Sequence, residues 1–314
     1  MSVTVVSRAL LAGLAMVMMT VGAARALDIS EARSMTYWLS NPGAALIAAS
    51  GFDLAIVDHS RDGSGEGAFR PDEVAMMQRK PDGGGRIVLS YMSIGEAEEY
   101  RYYWQADWSD RPPSWLEAEN PDWAGNYKVR FWEKDWQRLI YGSPSAYLDR
   151  ILAAGFDGVY LDIVDAYWYF QEKGRKTAEA EMVAFVTALA DYARARKPGF
   201  LIVPQNAEDL LVNEDYRQAI DAQAKEDLYF GLDGPDTPNA QDSFDWVKKH
   251  LDMALDAGKP VLLVEYPESA GAIRHVYEAG RRAGYLPYAT VRDLDRMTVN
   301  PGFDPPVPGL NRRN

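Results

Sequence analysis

Cysteine is absent from this sequence of 314 residues, and histidine occurs only three times. Without cysteine, disulfides and thiolate metal sites are excluded. Zinc hydrolases need two or three histidines at one site, whereas His250 and His275 fall on predicted helices. No D-x-D-x-D-G calcium loop is present, although the many carboxylates leave a structural cation open. We therefore predict a site that uses no cofactor and no metal.

Positive charge is also scarce. The chain has 33 Lys and Arg residues against 46 Asp and Glu residues, a net charge of −13. This balance argues against nucleic acid or an anionic membrane as a partner and favours a neutral or cationic ligand. A G-x-S-x-G elbow is missing, and the Gly83–Gly85 run has no phosphate-loop lysine, so serine-hydrolase and P-loop chemistry are not indicated.

The one long apolar run lies at the start of the chain. Arg8, the apolar run 9–21 and the A-x-A pattern at 24–26 predict a secretory signal over residues 1–26. That run is too short to span a membrane, and no later segment is long enough. We expect a monomeric secreted or periplasmic protein with one domain over residues 27–299. Residues 300–314 are rich in proline and predict a loose tail.

Apolar strand-like segments alternate with helix-like segments along the predicted domain. Most strand candidates are short continuous apolar runs, which is typical of parallel strands buried on both faces. Eight such runs without a break in composition predict a single α/β domain, a (β/α)8 TIM barrel. The candidate strands are 35–39, 54–58, 86–92, 158–162, 200–204, 219–224, 261–266 and 285–290.

The segment GFDGVYLDIVDAY at 155–167 is the most informative of these. It predicts a turn, a buried strand and then Asp162 where the strand ends. A buried carboxylate without a partner is unfavourable, so an aspartate at the carboxyl end of a parallel strand indicates chemistry. Asp165 is explained equally well as the N-cap of the next helix. Asp162 could also cap that helix, but for Asp162 a role in chemistry is favoured over capping.

Other acidic and polar residues follow the remaining strands in the same way. Because active sites of TIM barrels lie at the carboxyl ends of the strands, we predict that these residues meet at one mouth. The predicted substrate-binding residues are Asp58, Tyr91, Glu96, Trp132, Asp165, Gln205, Asn206, Glu208, Glu265 and Tyr266.

A long excursion follows the third strand and holds six of the nine tryptophans. Loops of this length are usually functional or disordered, and so many aromatic residues argue against disorder. We expect most of these rings to pack the loop onto the barrel, and two or three to remain as platforms for sugar rings.

Asp162 and Glu226 are the predicted catalytic pair. They end the fourth strand and follow the sixth, and side chains of alternate barrel strands share a layer. Ile220, Ala222, Ala224 and Glu226 alternate onto one face of the sixth strand. Two opposed carboxylates are the equipment for glycosidic bond cleavage, and their proximity predicts the retaining mechanism, with Asp162 as nucleophile and Glu226 as acid. Glu208, Glu265 and Glu96 remain alternative proton donors.

Three motifs carry a resemblance to a known family. YMSIGEAEEYR at 91–101, the run PSWLEAENPDWAGNYKVRFWEKDWQ at 113–137 and GFDGVYLDIVDAY resemble glycoside hydrolase family 114, the endo-α-1,4-polygalactosaminidase-like barrels. The resemblance covers residues 35 to 290. It implies a TIM barrel, cleavage within α-1,4-linked galactosamine polymers, and Asp162 and Glu226 as the catalytic pair.

The acidic, aromatic mouth fits the implied substrate, because a polymer of free galactosamine is cationic. Two alternatives stay open. The first is a hydrolase of a different amino-sugar polymer, and the second is a secreted carbohydrate-binding barrel without turnover.

Overall fold

Eight parallel strands form the centre of the protein. The structure, a computed structural model, describes residues 28–308. The strands that follow one another around the barrel are β1 (Met35–Trp38), β2 (Leu54–Asp58), β3 (Ile87–Ser93), β7 (Gly158–Asp162), β8 (Leu201–Pro204), β9 (Gln223–Glu226), β10 (Val261–Glu265) and β11 (Leu286–Ala289). An excursion between β3 and β7 contains β4 (Glu96–Glu98), β5 (Leu116–Glu119) and β6 (Asn126–Val129).

The barrel strands are paired in two adjoining sheets. Strands β1-β2-β3-β7-β8 form one sheet and β11-β10-β9 the other, with every pair parallel. The Asn206 amide donates to the Ala224 carbonyl at 2.9 Å where β8 meets β9. The hydroxyls of Thr36 and Tyr288 lie 3.1 Å apart where β1 meets β11. The predicted α/β barrel is confirmed.

Helices cover the outside of the strands. They are α1 (Ala44–Ala49), α2 (Pro71–Met77), α3 (Lys134–Ile140), α4 (Tyr147–Ala154), α5 (Ala166–Glu172), α6 (Ala178–Arg196), α7 (Glu214–Ala219), α8 (Gln241–Asp256) and α9 (Ala270–Arg282). Two short 3-10 helices lie at Ile29–Glu31 and Glu208–Val212. Within the described range, no helix is both long and apolar enough to span a membrane.

The excursion after β3 is an ordered layer over one side of the barrel mouth. Its three strands form an antiparallel sheet in the order β4-β6-β5. Trp104, Trp108, Trp115 and Trp136 contact one another in sequence, each pair of ring centroids 5.0 Å apart. Most of these aromatic rings therefore pack the loop, as expected.

The largest boundary difference from the sequence prediction lies at the sixth barrel strand. The sixth barrel strand begins at Gln223, because the preceding segment continues α7 to Ala219. Ile220 and Ala222 are buried but precede the strand, so the alternation assigned to them is wrong.

The proline-rich tail is anchored over its first residues. Asn300 is buried and donates to the Ala289 carbonyl at 2.8 Å. The ring of Phe303 stacks on Tyr277 of α9 with 4.5 Å between centroids, and Val307 is buried. Residues 300–307 thus pack onto the barrel, unlike the loose tail predicted from composition. The predicted signal over residues 1–26 lies outside the described residues.

Substitution of Gly158 tests the close packing of strands β7 and β8. A Cβ added there would overlap the carbonyl oxygen and Cβ of Leu201 on β8. Gly158→Ala should therefore lower the free energy of unfolding by about 1–3 kcal/mol, measured by urea denaturation. Gly271→Ala, in open space on the exposed first turn of α9, is the control and should be neutral or slightly stabilising. Equal stability of the two variants would contradict this packing.

Candidate active site

A cavity of about 540 Å³ lies at the carboxyl ends of the barrel strands. Its size is in the usual range for small-molecule sites. Nine of the twelve predicted site residues line it: Asp58, Tyr91, Glu96, Asp162, Asp165, Gln205, Asn206, Glu226 and Tyr266. The parallel register places these strand ends at one edge, which is why residues far apart in sequence meet there.

Asp162 and Glu226 face each other across β8. Each is the last residue of its strand, β7 and β9 respectively. Gln205, directly after β8, donates from Nε2 to Asp162 Oδ1 at 3.2 Å and also to Glu226 Oε2. Because one nitrogen bonds both carboxylates, the bonded oxygens lie within two hydrogen-bond lengths, about 6 Å at most.

The other oxygen of each carboxylate is held by a tyrosine. The Tyr91 hydroxyl, from β3, donates to Asp162 Oδ2 at 2.7 Å. The Tyr266 hydroxyl, directly after β10, donates to Glu226 Oε1. Both carboxyl groups are therefore fixed in orientation on two sides, and their inner oxygens share the Gln205 amide.

The two carboxyl groups have different proton affinities. Burial raises the pKa of Asp162 to about 6, and the hydrogen bond from Tyr91 limits this rise. Burial raises the pKa of Glu226 to about 8, and the negative charge of Asp162 adds to the increase. At neutral pH Asp162 is therefore mainly ionised while Glu226 is mainly protonated. This is the pairing of a nucleophile or base with a proton donor.

The backbone leaves these strands through left-handed conformations. Ile163 has φ of 54°, Asn206 of 56° and Asp227 of 53°, each one residue after a named site residue. Such conformations are unfavourable for residues other than glycine, above all for a β-branched isoleucine. They turn the chain away sharply, so each site side chain stays at the rim of its strand.

A buried arginine supports the Tyr91 side of the site. Arg101 contacts Asp58 Oδ2 and Glu98 Oε2, both at 2.6 Å, and its guanidinium lies 5.6 Å from the centroid of the Tyr91 ring. Asp58 also accepts a hydrogen bond from the Ser60 amide at 3.0 Å and lies 3.0 Å from His59 Nδ1. Asp58 lines the cavity, but protein groups already engage its carboxylate.

Three predicted substrate-binding residues do not line this cavity. Trp132 packs edge-on against Phe170, with 4.7 Å between centroids, and Arg175 covers its ring. Glu208 is buried and pairs with Lys225 at 3.4 Å. The structure therefore places both side chains in packing or pairing contacts outside the cavity lining.

Glu265 is the third, and it has a structural role. Its carboxylate accepts hydrogen bonds from the backbone amides of Leu228 and Tyr229 at 2.9 and 2.8 Å. It thereby holds the loop that follows Glu226. Burial raises the pKa of Glu265 to about 8.

Other cavity residues are not marked individually by the sequence. Arg292 contacts Asp227 at 2.8 Å and lies over the Tyr266 ring. Tyr100 and Trp123 line the cavity with exposed fractions of 49% and 55%, so these two excursion rings are available as platforms. The aromatic content of the excursion is the only sequence signal for them. Among residues 28–308 no group of three or more potential metal ligands is placed to hold an ion.

The sequence matches a known enzyme family. Residues 24–302 match glycoside-hydrolase family GH114. An uncharacterized protein of Thermotoga maritima is 36% identical over 284 residues, which cover 86% of this chain and 84% of the relative.

Two solved structures have a similar fold. The glycoside hydrolase domain of PelA from Pseudomonas aeruginosa gives a TM-score of 0.64 at 19% identity, covering 85% of this chain and 98% of that one. Ega3 from Aspergillus fumigatus, in complex with galactosamine, gives 0.61 at 19% identity, covering 87% and 96%. At this identity the likeness is evidence for the fold alone.

Electrostatic coupling within the pair can be tested directly. Asp162→Asn should lower the pKa of Glu226 from about 8, because it removes a negative charge that opposes ionisation. The pKa should stay above the ordinary 4.5, since burial remains. A carbon-13 NMR titration of labelled glutamate, assigned with Glu226→Gln, measures this. Asp191→Asn, on the exposed face of α6, is the control. An unchanged Glu226 pKa in Asp162→Asn would contradict the coupling.

Proposed function

This chain belongs to glycoside-hydrolase family GH114, and from the geometry of its carboxylates we propose that it is a retaining endo-glycosidase of α-1,4-linked galactosamine polymers. The observation that carries the proposal is the shared hydrogen-bond donor Gln205, which keeps one carboxylate oxygen of Asp162 and one of Glu226 within about 6 Å of each other. Retaining enzymes have carboxyl groups about 5–5.5 Å apart, whereas inverting enzymes need about 6.5–9.5 Å to admit a water molecule.

The first chemical step is displacement at the anomeric carbon. Asp162 attacks that carbon and forms a glycosyl ester while the glycosidic C–O bond breaks. Glu226 transfers its proton to the departing oxygen, and its raised pKa keeps it protonated before this step. Tyr91 keeps the attacking carboxylate oriented through its hydrogen bond to Oδ2.

The second step releases the sugar. Glu226, now ionised, removes a proton from water as the water attacks the anomeric carbon. The ester bond to Asp162 breaks, and Glu226 regains its proton. Two displacements on opposite faces return the original anomeric configuration.

An amino-sugar polymer is the substrate that the site favours. The cavity is lined by six carboxylates in addition to Asp162 and Glu226: Asp58, Asp62, Glu96, Glu98, Asp165 and Asp293. Only three arginines, Arg61, Arg101 and Arg292, line it with them. Arg101 neutralises only Asp58 and Glu98, so a cationic sugar chain is attracted. Tyr100 and Trp123 offer faces for sugar rings. Ega3, with a similar fold, was solved with galactosamine.

Export of the protein and endo action are parts of the same proposal. The apolar run and A-x-A pattern over residues 1–26 support secretion or periplasmic delivery, where a polysaccharide would be met. Endo action rests on the resemblance to the polygalactosaminidase-like barrels.

The test is hydrolysis of a partially deacetylated α-1,4-galactosamine polymer, with released oligomers identified by mass spectrometry. Asp162→Asn and Glu226→Gln should each reduce the rate by about 10²–10⁴-fold or more, because each removes one ionisable group from the pair. Melting temperatures should stay near that of the native protein.

Two matched variants serve as controls for charge removal. Asp191→Asn and Glu278→Gln lie on exposed helix faces and should retain full activity. Binding of the polymer without release of oligomers by the native protein would contradict the enzymatic proposal and favour a carbohydrate-binding barrel. Near-normal activity of Glu226→Gln would overturn its role as the acid.

A further inference from the structure

The acidic residues in the deep part of the cavity differ in what neutralises them. Asp58 and Glu98 share the guanidinium of Arg101. Asp162 and Glu226 are bonded by Gln205 and by their tyrosines. These four carboxylates are therefore satisfied within the protein.

Glu96 is satisfied on one oxygen only. Its Oε1 accepts from Asn120 Nδ2 at 2.9 Å and from Lys128 Nζ at 3.3 Å. The residue is 1% exposed, and its Oε2 has no hydrogen-bond partner within the described part of the chain. A buried carboxylate oxygen in this state is unfavourable and is available to a donor from a ligand.

Asp165 has still fewer partners. It occupies the N-cap position of α5, but its side chain makes no capping hydrogen bond. Among residues 28–308, no other residue donates a hydrogen bond to its carboxylate, and its own backbone amide is the donor beside it. Lys225 is the neighbouring cation, and it contacts Glu208 at 3.4 Å and Asn206 Oδ1 at 3.3 Å instead. Asp165 lines the cavity and makes no direct ion pair there with the described residues, although the charge of Lys225 lowers its pKa.

Close packing brings Asp165 and Glu96 to the same side of the site. A Cβ added to Gly95 would overlap the Ile163 carbonyl oxygen and Ala166 Cβ, so the chain at 95–96 lies directly against the turn that carries Asp165. Burial raises the pKa of Asp165 to about 6, Lys225 lowers it, and the charges of Glu208 and Glu96 raise it further. A bound cation would relieve this repulsion.

We propose that Asp165, backed by Glu96, forms a subsite beside the catalytic pair that binds the C2 ammonium group of an amino sugar. This assignment rests on the proposed function and adds the residue that selects the substrate. A primary ammonium group has three N–H donors and a full positive charge, which matches one free carboxylate and one half-satisfied carboxylate. A sugar hydroxyl would leave the charge uncompensated. An N-acetylated sugar would bring no charge and would add bulk at Asp165.

A binding measurement tests this subsite independently of whether the protein hydrolyses the polymer. Native protein and Asp165→Asn are titrated by calorimetry at low salt with α-1,4-galactosamine oligomers, fully deacetylated or fully N-acetylated. The native protein should prefer the deacetylated oligomers. Asp165→Asn should bind them about tenfold more weakly or worse, because a hydrogen bond between charged groups is lost, and should bind acetylated oligomers as before.

Control variants distinguish a loss of ammonium binding from misfolding and from a general change in net charge. Asp165→Ser is a second variant in case the asparagine variant is misfolded, and thermal melting monitors both. Asp191→Asn removes one charge far from the cavity and should bind both oligomers like the native protein. In hydrolysis assays Asp165→Asn should raise KM for the deacetylated polymer much more than it lowers kcat.

The outcomes distinguish this subsite from the proposed function. Weaker binding of deacetylated oligomers by Asp165→Asn supports the subsite even if the native protein hydrolyses nothing. Native affinity of a folded Asp165→Asn for deacetylated oligomers overturns the subsite, including the case in which the native protein is an active hydrolase. An equal loss of affinity for the deacetylated and the N-acetylated oligomers would also overturn it, because Asp165 would then not distinguish an ammonium group from an acetamido group.

Discussion

One amide group organises the candidate active site. Gln205 Nε2 donates to both Asp162 and Glu226, and so it lies between two carboxylates that would otherwise repel each other. Its two N–H bonds allow them to approach closely while both stay oriented. The barrel makes this possible, because β8 lies between β7 and β9 and presents Gln205 at the same level. The difference in pKa between the two acids follows from this proximity and from burial.

The site is kept in place by strain and buried charge elsewhere in the barrel mouth. Six residues other than glycine have positive φ among the described residues: Asn41, Ile163, Asn206, Ala207, Asp227 and Leu294. All of them follow barrel strands at the catalytic face, and each such conformation costs on the order of 1–3 kcal/mol. Networks such as Asp58, Arg101 and Glu98 hold the surrounding chain rigid. The arrangement is typical of a preorganised site, in which stability is given up for geometry.

The sequence predicts strand ends better than it predicts side-chain partners. The sequence predicts that strands end at Asp58 and Asp162, and the structure has both strand ends there, because the strands are continuous apolar runs that stop at an aspartate. The predicted sixth strand begins before the observed one, because Ile220 and Ala222 are buried without being strand residues. Trp132 lies in the aromatic excursion and Glu265 ends a strand, so their sequence patterns are like those of the cavity residues. In the structure, however, Trp132 contacts Phe170, and Glu265 accepts hydrogen bonds from the backbone at 228–230. Those contacts depend on tertiary packing, which no local pattern encodes.

The most direct test of the close carboxylate pair is the configuration of the first product. Proton NMR can follow the anomeric signals while a deacetylated α-1,4-galactosamine oligomer is cleaved, before mutarotation mixes them. Double displacement through Asp162 predicts that the α-anomer appears first. If the β-anomer appears first, hydrolysis proceeds by a single inversion, and the pairing of Asp162 as nucleophile with Glu226 as acid is wrong.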